Sequence, residues 1–504
     1  MSEQPTAYDF IVVGAGTAGS VVAARLSEEA DARVLLLEAG AGSVTSTSAF
    51  PPAWTSMLAS SQNWGGNMTV QTATGTAPHI GRGKGIGGSS SINAMVFARG
   101  HRDSYADWAN GGAKGWAFDD LLPYFMRSET APHGDPALRG VNGPLTVQPA
   151  GQLHEVTHAL LSAATQCGYR RATDVSGGLE LGVGPVDLTI VNGRRQSAAD
   201  AYLNAALNRP NLELVPDVLV HRVLVNRNRA TGVEYGTGPT VETAFAGEVI
   251  LCAGAIGTPQ LLMVSGIGPA QHLREVGIDV VHDMPGVGSN FQDHVISVAL
   301  YQASRAVPPS TCNHGEAIGL IRSDVAESGA PDIQLMFSEN LAGAGPEVPN
   351  HYGIMVSALQ PHSRGTVRLA GADPSLLPLV DPNFLSDERD LAALTQGVRI
   401  ANEIGKAPAM DGWRGVELVP GPAADDPQAL QGFVKASAGS HYHPAGTCAI
   451  GDTVAAVVDN DLRVHGIGNL RVVDASVMPS LPSNNTVATV YAIADRGAEL
   501  IRRR

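Results

Sequence analysis

The sequence predicts an α/β protein in which a parallel sheet with a ligand-binding turn is joined to a second region of different organisation. Residues 10–38 carry a strand, a glycine-rich turn, a helix and a second strand. Such βαβ units place their two strands side by side and parallel. Residues 299–440 instead contain several strand-like runs in succession and one long helix. The two regions are therefore expected to differ in architecture.

The composition is that of a folded protein with few charged residues. The chain has 504 residues, of which 44% are hydrophobic and 16% charged, which suffices for two to four domains with a sizeable core. The net charge of −15 disfavours nucleic acid or an anionic membrane as the main partner. The four cysteines stand apart from one another, which disfavours a disulfide framework and a cysteine-rich zinc site.

No segment predicts export or membrane insertion. The longest apolar stretch covers residues 10–24 and is shorter than the roughly 20 residues that span a bilayer. The first five residues, Met-Ser-Glu-Gln-Pro, lack the basic stretch that begins a signal peptide. We therefore expect a cytoplasmic protein, either a monomer or a small homo-oligomer.

The first predicted elements form the βαβ unit, and further strands follow in the middle of the chain. A β-branched strand at 10–13 leads through glycines into a helix at 20–29 and a buried strand at 33–38. The run at 248–252 has the same buried character and ends at a second glycine turn. Further strands are expected around 212–225 and 232–235.

The region after residue 299 predicts strands, one long helix and exposed loops. Strands are expected at 332–337, 353–359 and 366–369. The helix is expected at 387–404, with Ser386 as its N-cap. Loops rich in proline and glycine are expected near 307–309, 343–349 and 420–423.

The glycine turn has the spacing of a dinucleotide-binding motif. Gly14-x-Gly16-x-x-Gly19 follows a strand and opens a helix, the context that gives this short pattern its meaning. Gly14 permits a tight turn, Gly16 lets the backbone approach a pyrophosphate, and Gly19 lets helix and strand pack closely. Glu38 ends the second strand, where a carboxylate can bind ribose hydroxyls. The motif alone does not separate NAD from FAD.

Two longer segments resemble the signature sequences of the glucose–methanol–choline (GMC) oxidoreductase family. Residues 83–97 join glycines to hydroxyl and amide donors, and residues 254–268 form a turn, a helix and a glycine stop. Further matches lie at 285–294, 458–466 and 469–479. The resemblance spans residues 8–501, essentially the whole chain.

The resemblance implies a two-domain flavoprotein. The expected fold is a Rossmann-like FAD-binding domain with an inserted α+β substrate domain that contains an antiparallel sheet. The FAD-binding domain is expected to comprise residues 1–150, 195–298 and 441–504, and the substrate-binding domain residues 151–194 and 299–440. Some members of the family tether FAD through a histidine in the first signature. Ile92 stands at that position and cannot form the bond, so we predict non-covalent FAD.

The resemblance also assigns cofactor-binding residues. Glu38 is expected to bind the adenosine ribose, with Val220 near the adenine and Trp64 as a further contact at that end. Asn93 to Val96 would lie against the flavin, and Asp474 with Ala475 would reach the ribityl and pyrophosphate groups. The full predicted set is Gly14, Gly16, Thr17, Ala18, Gly19, Glu38, Ala39, Trp64, Gly87, Gly88, Ser91, Asn93, Ala94, Met95, Val96, Val220, Asp474 and Ala475.

The segment 440–447, Ser-His-Tyr-His-Pro-Ala-Gly-Thr, carries the predicted catalytic residues. We expect this segment to be extended, so that His441 and His443, two residues apart, point the same way. They could form half of a metal site, but no partner cluster is evident in the sequence, so we expect no metal. In the family, the histidine at the position of His443 faces the flavin N5. A neutral imidazole, with a pKa near about 6.5, can take the proton of an alcohol near neutral pH.

The second catalytic position, which the family fills with Asn or His, is open. An ungapped comparison puts Val487 there, and a two-residue shift puts Asn485 there. Valine cannot hydrogen-bond an alcohol, so with Val487 in place His441 would supply the second polar contact. A His-x-His pair with an apolar residue at the second position resembles the pyridoxine-oxidising members of the family.

The resemblance therefore implies an enzyme that oxidises an alcohol to an aldehyde or ketone through FAD. We expect a primary aromatic or heteroaromatic alcohol such as pyridoxine, with O2 as the electron acceptor. The alternatives are an alcohol dehydrogenase with another acceptor, a choline, sugar or hydroxymethylfurfural-type oxidase, and a hydroxynitrile lyase. Aromatic residues form only 5% of the chain, which disfavours the aromatic cage that choline would need.

Overall fold

The computed structural model describes residues 8–238, 240–341, 348 and 350–503. The start of the chain, on which the expectation of no signal peptide depends, lies outside these residues. So does the loop expected at 343–349, except for residue 348.

The first sheet has seven strands and contains the predicted βαβ unit. Its centre is parallel: Tyr8–Val13 pairs with Val34–Leu37 on one side and with Thr240–Leu251 on the other. Antiparallel strands extend it at one edge. The strands expected around 212–225 are two, and the chain turns between them at Pro216 and Asp217. The strands are Tyr8–Val13, Val34–Leu37, Leu212–Val215, Leu219–Asn226, Arg229–Thr237, Thr240–Leu251 and Leu470–Val472.

The second sheet also has seven strands, and each of its pairings is antiparallel. It confirms the inserted antiparallel sheet that the family resemblance implies. The domain boundaries themselves remain a prediction. The strands are Gly182–Pro185, Val295–Ala303, Ala317–Ile321, Ile333–Ser338, His351–Ala358, Arg414–Val419 and Gly439–Ser440.

Helices cover the sheets, and short strand pairs lie between them. The α-helices are Thr17–Leu26, Ser46–Ala49, Trp54–Met57, Arg102–Asn110, Phe118–Ser128, Glu155–Gln166, Asn204–Ala206, Gly254–Val264, Ala270–Glu275, Glu388–Lys406, Pro427–Ser437 and Val487–Arg502. The 3₁₀ turns are Pro51–Ala53, Gly88–Ser91, Pro408–Met410, Gly421–Asp425 and Ala475–Val477, and a π turn covers Ala199–Leu203. The strand pairs are Glu129–Thr130 with Leu145–Thr146, Ile190–Val191 with Arg194–Arg195, Ile267–Gly268 with His282–Asp283, and Thr366–Arg368 with Leu379–Asp381.

Two predicted helices are present with different ends. The helix expected at 20–29 is Thr17–Leu26, because it starts directly at the glycine turn. The helix expected at 387–404 is Glu388–Lys406, and the prediction of Ser386 as its N-cap is wrong. Asp387 is the N-cap, since its carboxylate accepts a hydrogen bond from Arg389 N at 3.0 Å.

The C-terminal helix Val487–Arg502 packs against the first helix, Thr17–Leu26. Arg25 and the fully buried Asp495 form an ion pair across this contact, with 3.0 Å between Nε and Oδ1. This packing brings the start of the C-terminal helix close to the glycine turn. No helix in the described part of the chain combines the length and hydrophobicity needed to cross a bilayer.

Candidate active site

A continuous cavity of about 370 Å³ is lined by residues of both sheets. On the first sheet it begins at Val13 and Leu37, where the parallel strands end. This is the edge at which open α/β sheets bind ligands. On the second sheet its wall includes Ile296, Met336 and Met355. One space therefore joins the predicted cofactor region to the second sheet.

The first glycine motif forms the predicted turn. Gly14 has a φ of +97°, and a Cβ on Gly19 would lie 1.8 Å from the Gly14 carbonyl oxygen. Gly16 precedes the helix Thr17–Leu26, whose N-terminus has no side-chain cap. The backbone N–H groups at this helix end can therefore bind an anionic group in the cavity.

Glu38 connects the glycine turn to two neighbouring turns. Its Oε2 accepts a hydrogen bond from Ala15 N at 2.8 Å. Its Oε1 accepts from Gly40 N at 2.8 Å and from Gly85 N at 2.9 Å. The carboxylate is predicted to bind ribose. It also holds the loops that form this end of the cavity.

Two side chains present unused donors that suit a polar, partly anionic dinucleotide. Arg82 lines the cavity, and its buried Nε has no hydrogen-bond partner among the described residues. Burial lowers the pKa of Arg82 to about 10. Asn93 also lines the cavity, and its Oδ1 accepts from Arg195 Nη1 at 2.7 Å and from Met95 N at 3.0 Å. This arrangement leaves the Asn93 Nδ2 as a donor for a ligand.

The predicted cofactor-binding residues divide into two groups. Gly19, Gly87, Ser91 and Met95 are not part of the cavity wall and shape the turns behind it; the Ser91 hydroxyl, for example, donates to Ile86 O at 2.9 Å. The larger group lines the cavity: Gly14, Gly16, Thr17, Ala18, Glu38, Ala39, Trp64, Gly88, Asn93, Ala94, Val96, Val220, Asp474 and Ala475.

Asp474 joins the C-terminal part of the chain to the second glycine turn. Its Oδ2 accepts hydrogen bonds from Gly254 N at 2.8 Å and from the Thr258 hydroxyl at 2.6 Å. Its Oδ1 accepts from Ser476 N at 2.8 Å. Burial raises the pKa of this carboxyl. Asp474 thus orients both segments at the cavity, besides any contact with a cofactor.

Three imidazoles meet beside the short strand Gly439–Ser440, and two of them line the cavity. His443 Nδ1 lies 2.9 Å from His294 Nδ1, and the ring centroids of His443 and His441 are 4.2 Å apart. His441 Nδ1 lies 3.1 Å from Ser357 Oγ. His441 and His443 both line the cavity. The structure therefore brings the two predicted histidines together and adds His294.

A turn, not an extended segment, brings the two histidines together. Tyr442 has a φ of +61°, so the expectation of an extended segment is wrong. Asp293 holds the turn. Its Oδ1 accepts from His443 N at 2.9 Å, and its Oδ2 accepts from the Ser440 hydroxyl. Burial raises the pKa of Asp293 to about 7.

Burial keeps the three imidazoles neutral. It lowers the pKa of His441 to about 4 and that of His294 to about 3. The pKa of His443 lies well below its ordinary value of 6.5, first because of burial and then because His441 and His294 are close. At neutral pH the His443 ring is therefore uncharged and able to accept a proton.

The two candidates for the second catalytic position both reach the cavity. Asn485 Nδ2 lies 3.2 Å from His443 Nε2. Val487 begins the C-terminal helix and contributes a hydrocarbon side chain to the wall. The amide of Asn485 thus contacts His443, whereas Val487 offers no group that can hydrogen-bond.

The three histidines also form a group that could bind a metal. Their candidate ligand atoms all lie within 4.8 Å of one another. His441 and His443 are predicted from their shared segment, whereas His294 is far away in the chain and was not predicted to be part of the site. The signal that could have identified it is its position at the end of the family-like segment 285–294. The expectation of no metal remains a prediction.

The second sheet supplies a wall for which the sequence has no motif. Met336 and Ser338 face the cavity from one strand, at the spacing of two residues that places side chains on one face. This strand, Ile-Gln-Leu-Met-Phe-Ser, is buried on both faces, so its polar residues do not mark a solvent-exposed face. The residues of this wall and its surroundings are Trp54, Leu58, Ile296, His314, Met336, Ser338, Asn340, Leu341, Met355 and Tyr442.

Comparison with known proteins identifies the family. Two family models, both described as GMC oxidoreductase, match residues 8–296 and 361–494. The oxygen-dependent choline dehydrogenase of Serratia proteamaculans (strain 568) is 38% identical, over 99% of this chain and 96% of its own length. The human mitochondrial choline dehydrogenase is 39% identical, over 99% of this chain and 91% of its own length.

A solved structure shares the whole fold. The crystal structure of pyridoxine 4-oxidase from "Mesorbium loti" superposes with a TM-score of 0.94 at 35% identity, covering 99% of each chain. The family-model matches, the relatives and this likeness all cover most of the chain. The chain therefore belongs to the GMC oxidoreductase family, whose members bind FAD and act on alcohols.

Proposed function

We propose that this protein oxidises a primary aromatic or heteroaromatic alcohol, such as pyridoxine, to the aldehyde, with His443 as the base. O2 is the proposed electron acceptor. The observation that carries the proposal is the neutral His443 ring at the cavity wall, with its Nε2 beside the Asn485 amide. Bound FAD supplies the hydride acceptor for this reaction.

His443 takes the hydroxyl proton of the alcohol at Nε2. Asn485 Nδ2, at 3.2 Å from that nitrogen, is placed to donate a hydrogen bond to the alcohol oxygen. His441 lies against His443 and is itself held by Ser357. We assign Asn485 the second catalytic position and His441 a supporting polar contact, so that the reacting oxygen is held by two groups.

The cavity wall favours a neutral, flat substrate. Met336 and Met355 are cross-strand partners, and both line the cavity. Methionine sulfur packs favourably against aromatic rings. Ser338 and Asn340 add polar groups that could bind ring substituents. These residues together suit a substituted aromatic or heteroaromatic ring.

Choline is the second candidate, because the relatives named above are choline dehydrogenases. A quaternary ammonium group needs an aromatic cage or a free carboxylate. The carboxylates at the cavity wall are Glu38 and Asp474, and both already accept hydrogen bonds from backbone N–H groups. Glu339, outside the cavity wall, is paired with His314 through Oε1 at 2.9 Å, and its buried Oε2 has no hydrogen-bond partner among the described residues. Trp54 and Tyr442 are aromatic residues of the same wall, so the alcohol panel below includes choline.

Non-covalent FAD binding follows from the side chain at the tethering position. Ile92 lines the cavity and has only hydrocarbon atoms. Acid precipitation of the protein is expected to release all of the flavin into the supernatant. Yellow colour that stays with the precipitated chain would contradict this part of the proposal.

The proposed reaction is tested with a panel of alcohols and detection of hydrogen peroxide. We expect pyridoxine or a benzyl-type alcohol to give a kcat/KM at least about tenfold above that of choline, the difference a single desolvated contact can produce. Under anaerobic conditions the preferred alcohol should bleach the flavin. If the alcohol bleaches the flavin anaerobically but no hydrogen peroxide forms in air, the protein is a dehydrogenase. A flavin that stays oxidised while a cyanohydrin is cleaved would identify a lyase.

The pH profile of kcat/KM tests the role of His443. The base must be unprotonated, and burial holds its pKa well below 6.5, so the acidic limb should lie below that pH. Asp293, with a pKa of about 7, could add a separate limb. The variant Asp293→Asn keeps an acceptor for His443 N and does not titrate, so it removes this contribution. A limb at or above pH 6.5 that persists in Asp293→Asn would contradict the assignment.

A further inference from the structure

We infer that Gln334 is a positioning residue: it sets the amide orientation of Asn485 and, through it, the tautomer of His443. Gln334 lies on the strand Ile333–Ser338 of the second sheet and is 1% exposed. It does not line the cavity. The inference rests on the proposed role of His443 as the base.

Asn484 provides the fixed point of the chain of hydrogen bonds. Its Nδ2 donates to Arg99 O at 3.2 Å and to Val175 O at 3.4 Å. Because a carbonyl oxygen only accepts, these two contacts require the nitrogen of the Asn484 amide on that side. The Asn484 Oδ1 therefore faces the other way, where it accepts from Asn485 N at 3.0 Å.

Gln334 transmits this orientation to Asn485. Its Nε2 donates to Asn484 Oδ1 at 2.9 Å and to Asn485 Oδ1 at 3.1 Å. Both hydrogens of the Gln334 amide are thereby used. Since the Asn485 oxygen faces Gln334, the Asn485 Nδ2 must face His443 Nε2.

The orientation of Asn485 determines where His443 carries its proton. A donor beside Nε2 requires a lone pair on that nitrogen, so the neutral ring carries its proton on Nδ1. That proton lies on the side of His294 Nδ1, 2.9 Å away. The single lone pair of Nε2 accepts from Asn485 Nδ2 in this structure, and an alcohol hydroxyl reaches it by taking the place of that hydrogen bond. A reversed Asn485 amide would favour a proton on Nε2 and remove the base.

The burial of Gln334 argues for a positioning role over simple packing. Its Oε1 is buried and has no hydrogen-bond partner in the described ranges. Such an orphaned acceptor is costly, and a hydrocarbon side chain of the same size would avoid the cost. The Gln334 amide nevertheless keeps this orientation, because its Nε2 donates to the oxygens of Asn484 and Asn485. On the same row of the sheet, the cross-strand partner Ser357 contacts His441.

The inference is tested by determining the tautomer of His443 in the oxidised holoenzyme by NMR with ¹⁵N-labelled histidine. The His443 signals are assigned by their loss in His443→Gln. We expect the wild type to carry the proton on Nδ1. Gln334→Met removes both donors at similar size, so a second population with the proton on Nε2 should appear. Its kcat should fall about three- to tenfold, in proportion to the competent fraction.

Two further variants keep the test decisive. Leu320 is the other cross-strand neighbour of Gln334, and it is buried and does not line the cavity. The variant Leu320→Met should therefore leave both the His443 tautomer and kcat unchanged. Gln334→Glu can donate only when protonated, so its His443 tautomer should depend on pH, unlike that of the wild type. A wild-type tautomer at every pH in both Gln334 variants would overturn the inference. The NMR measurement of the tautomer needs no substrate. It therefore tests the role of Gln334 even if none of the alcohols in the panel is oxidised.

Discussion

Replacing His443 with alanine should lower kcat for the preferred alcohol by a factor of about 10² to 10⁴, the usual contribution of a general base. The reason is that His443 is the imidazole whose Nε2 lies beside the Asn485 amide at the cavity wall. His294 is not part of the cavity wall, and the Nδ1 of His441 is in contact with the Ser357 hydroxyl. The measurement is the rate of anaerobic flavin reduction by the alcohol.

The matched control is His441→Ala, which replaces the histidine two residues before His443 in the same segment. His441 contacts Ser357 and the face of His443, so its loss should cost far less than that of His443. Asn485→Ala should lie between the two, because it removes the donor beside Nε2. FAD content should be the same in all three variants. An equal loss of kcat in His441→Ala and His443→Ala, or full activity in His443→Ala, would contradict the assignment of His443 as the base.

The glycine motif could be predicted because its information is local. The strand Tyr8–Val13, the turn at Gly14 and the following helix depend on neighbours within a few residues of one another. The second sheet was harder, because its pairings join distant segments. Gly182–Pro185 is a strand although its Gly-Val-Gly-Pro sequence is typical of a turn. The edge strand Arg414–Val419 has no fully buried residue, so it lacks an apolar run that would mark it.

The same distinction applies to the candidate site. His443 could be predicted because a specific sequence segment surrounds it. Gln334 could not, because its role depends on two asparagines brought to it from the C-terminal part of the chain. His294 lies between these cases: its segment resembles the family, but its contact with His443 appears only in the folded chain. Val487 and Asn485 are equal alternatives in the sequence, because a two-residue shift decides between them. The structure separates them: the Asn485 amide contacts His443, and a valine cannot form that hydrogen bond.

Replacing Glu38 with alanine should weaken both the fold and FAD binding. The buried N–H groups of Ala15, Gly40 and Gly85 would lose their acceptor, and each unpaired group costs about 1–3 kcal/mol where water cannot replace it. We expect the free energy of unfolding to fall by about 2–5 kcal/mol, which lies in the upper part of the range for single substitutions. The measurements are thermal unfolding without added FAD and the Kd for FAD.

The variant Glu38→Gln separates the two roles of this carboxylate. Its remaining oxygen can still accept from Gly40 and Gly85, while its amide nitrogen would face Ala15 N and lose that bond. If Glu38 holds the three turns together, unfolding without FAD should follow the order wild type, Glu38→Gln, Glu38→Ala. If the carboxylate served the ribose alone, all three proteins would unfold at the same temperature without FAD and differ only in Kd. Because the three N–H contacts exist within the protein itself, the ordered series is the expected result.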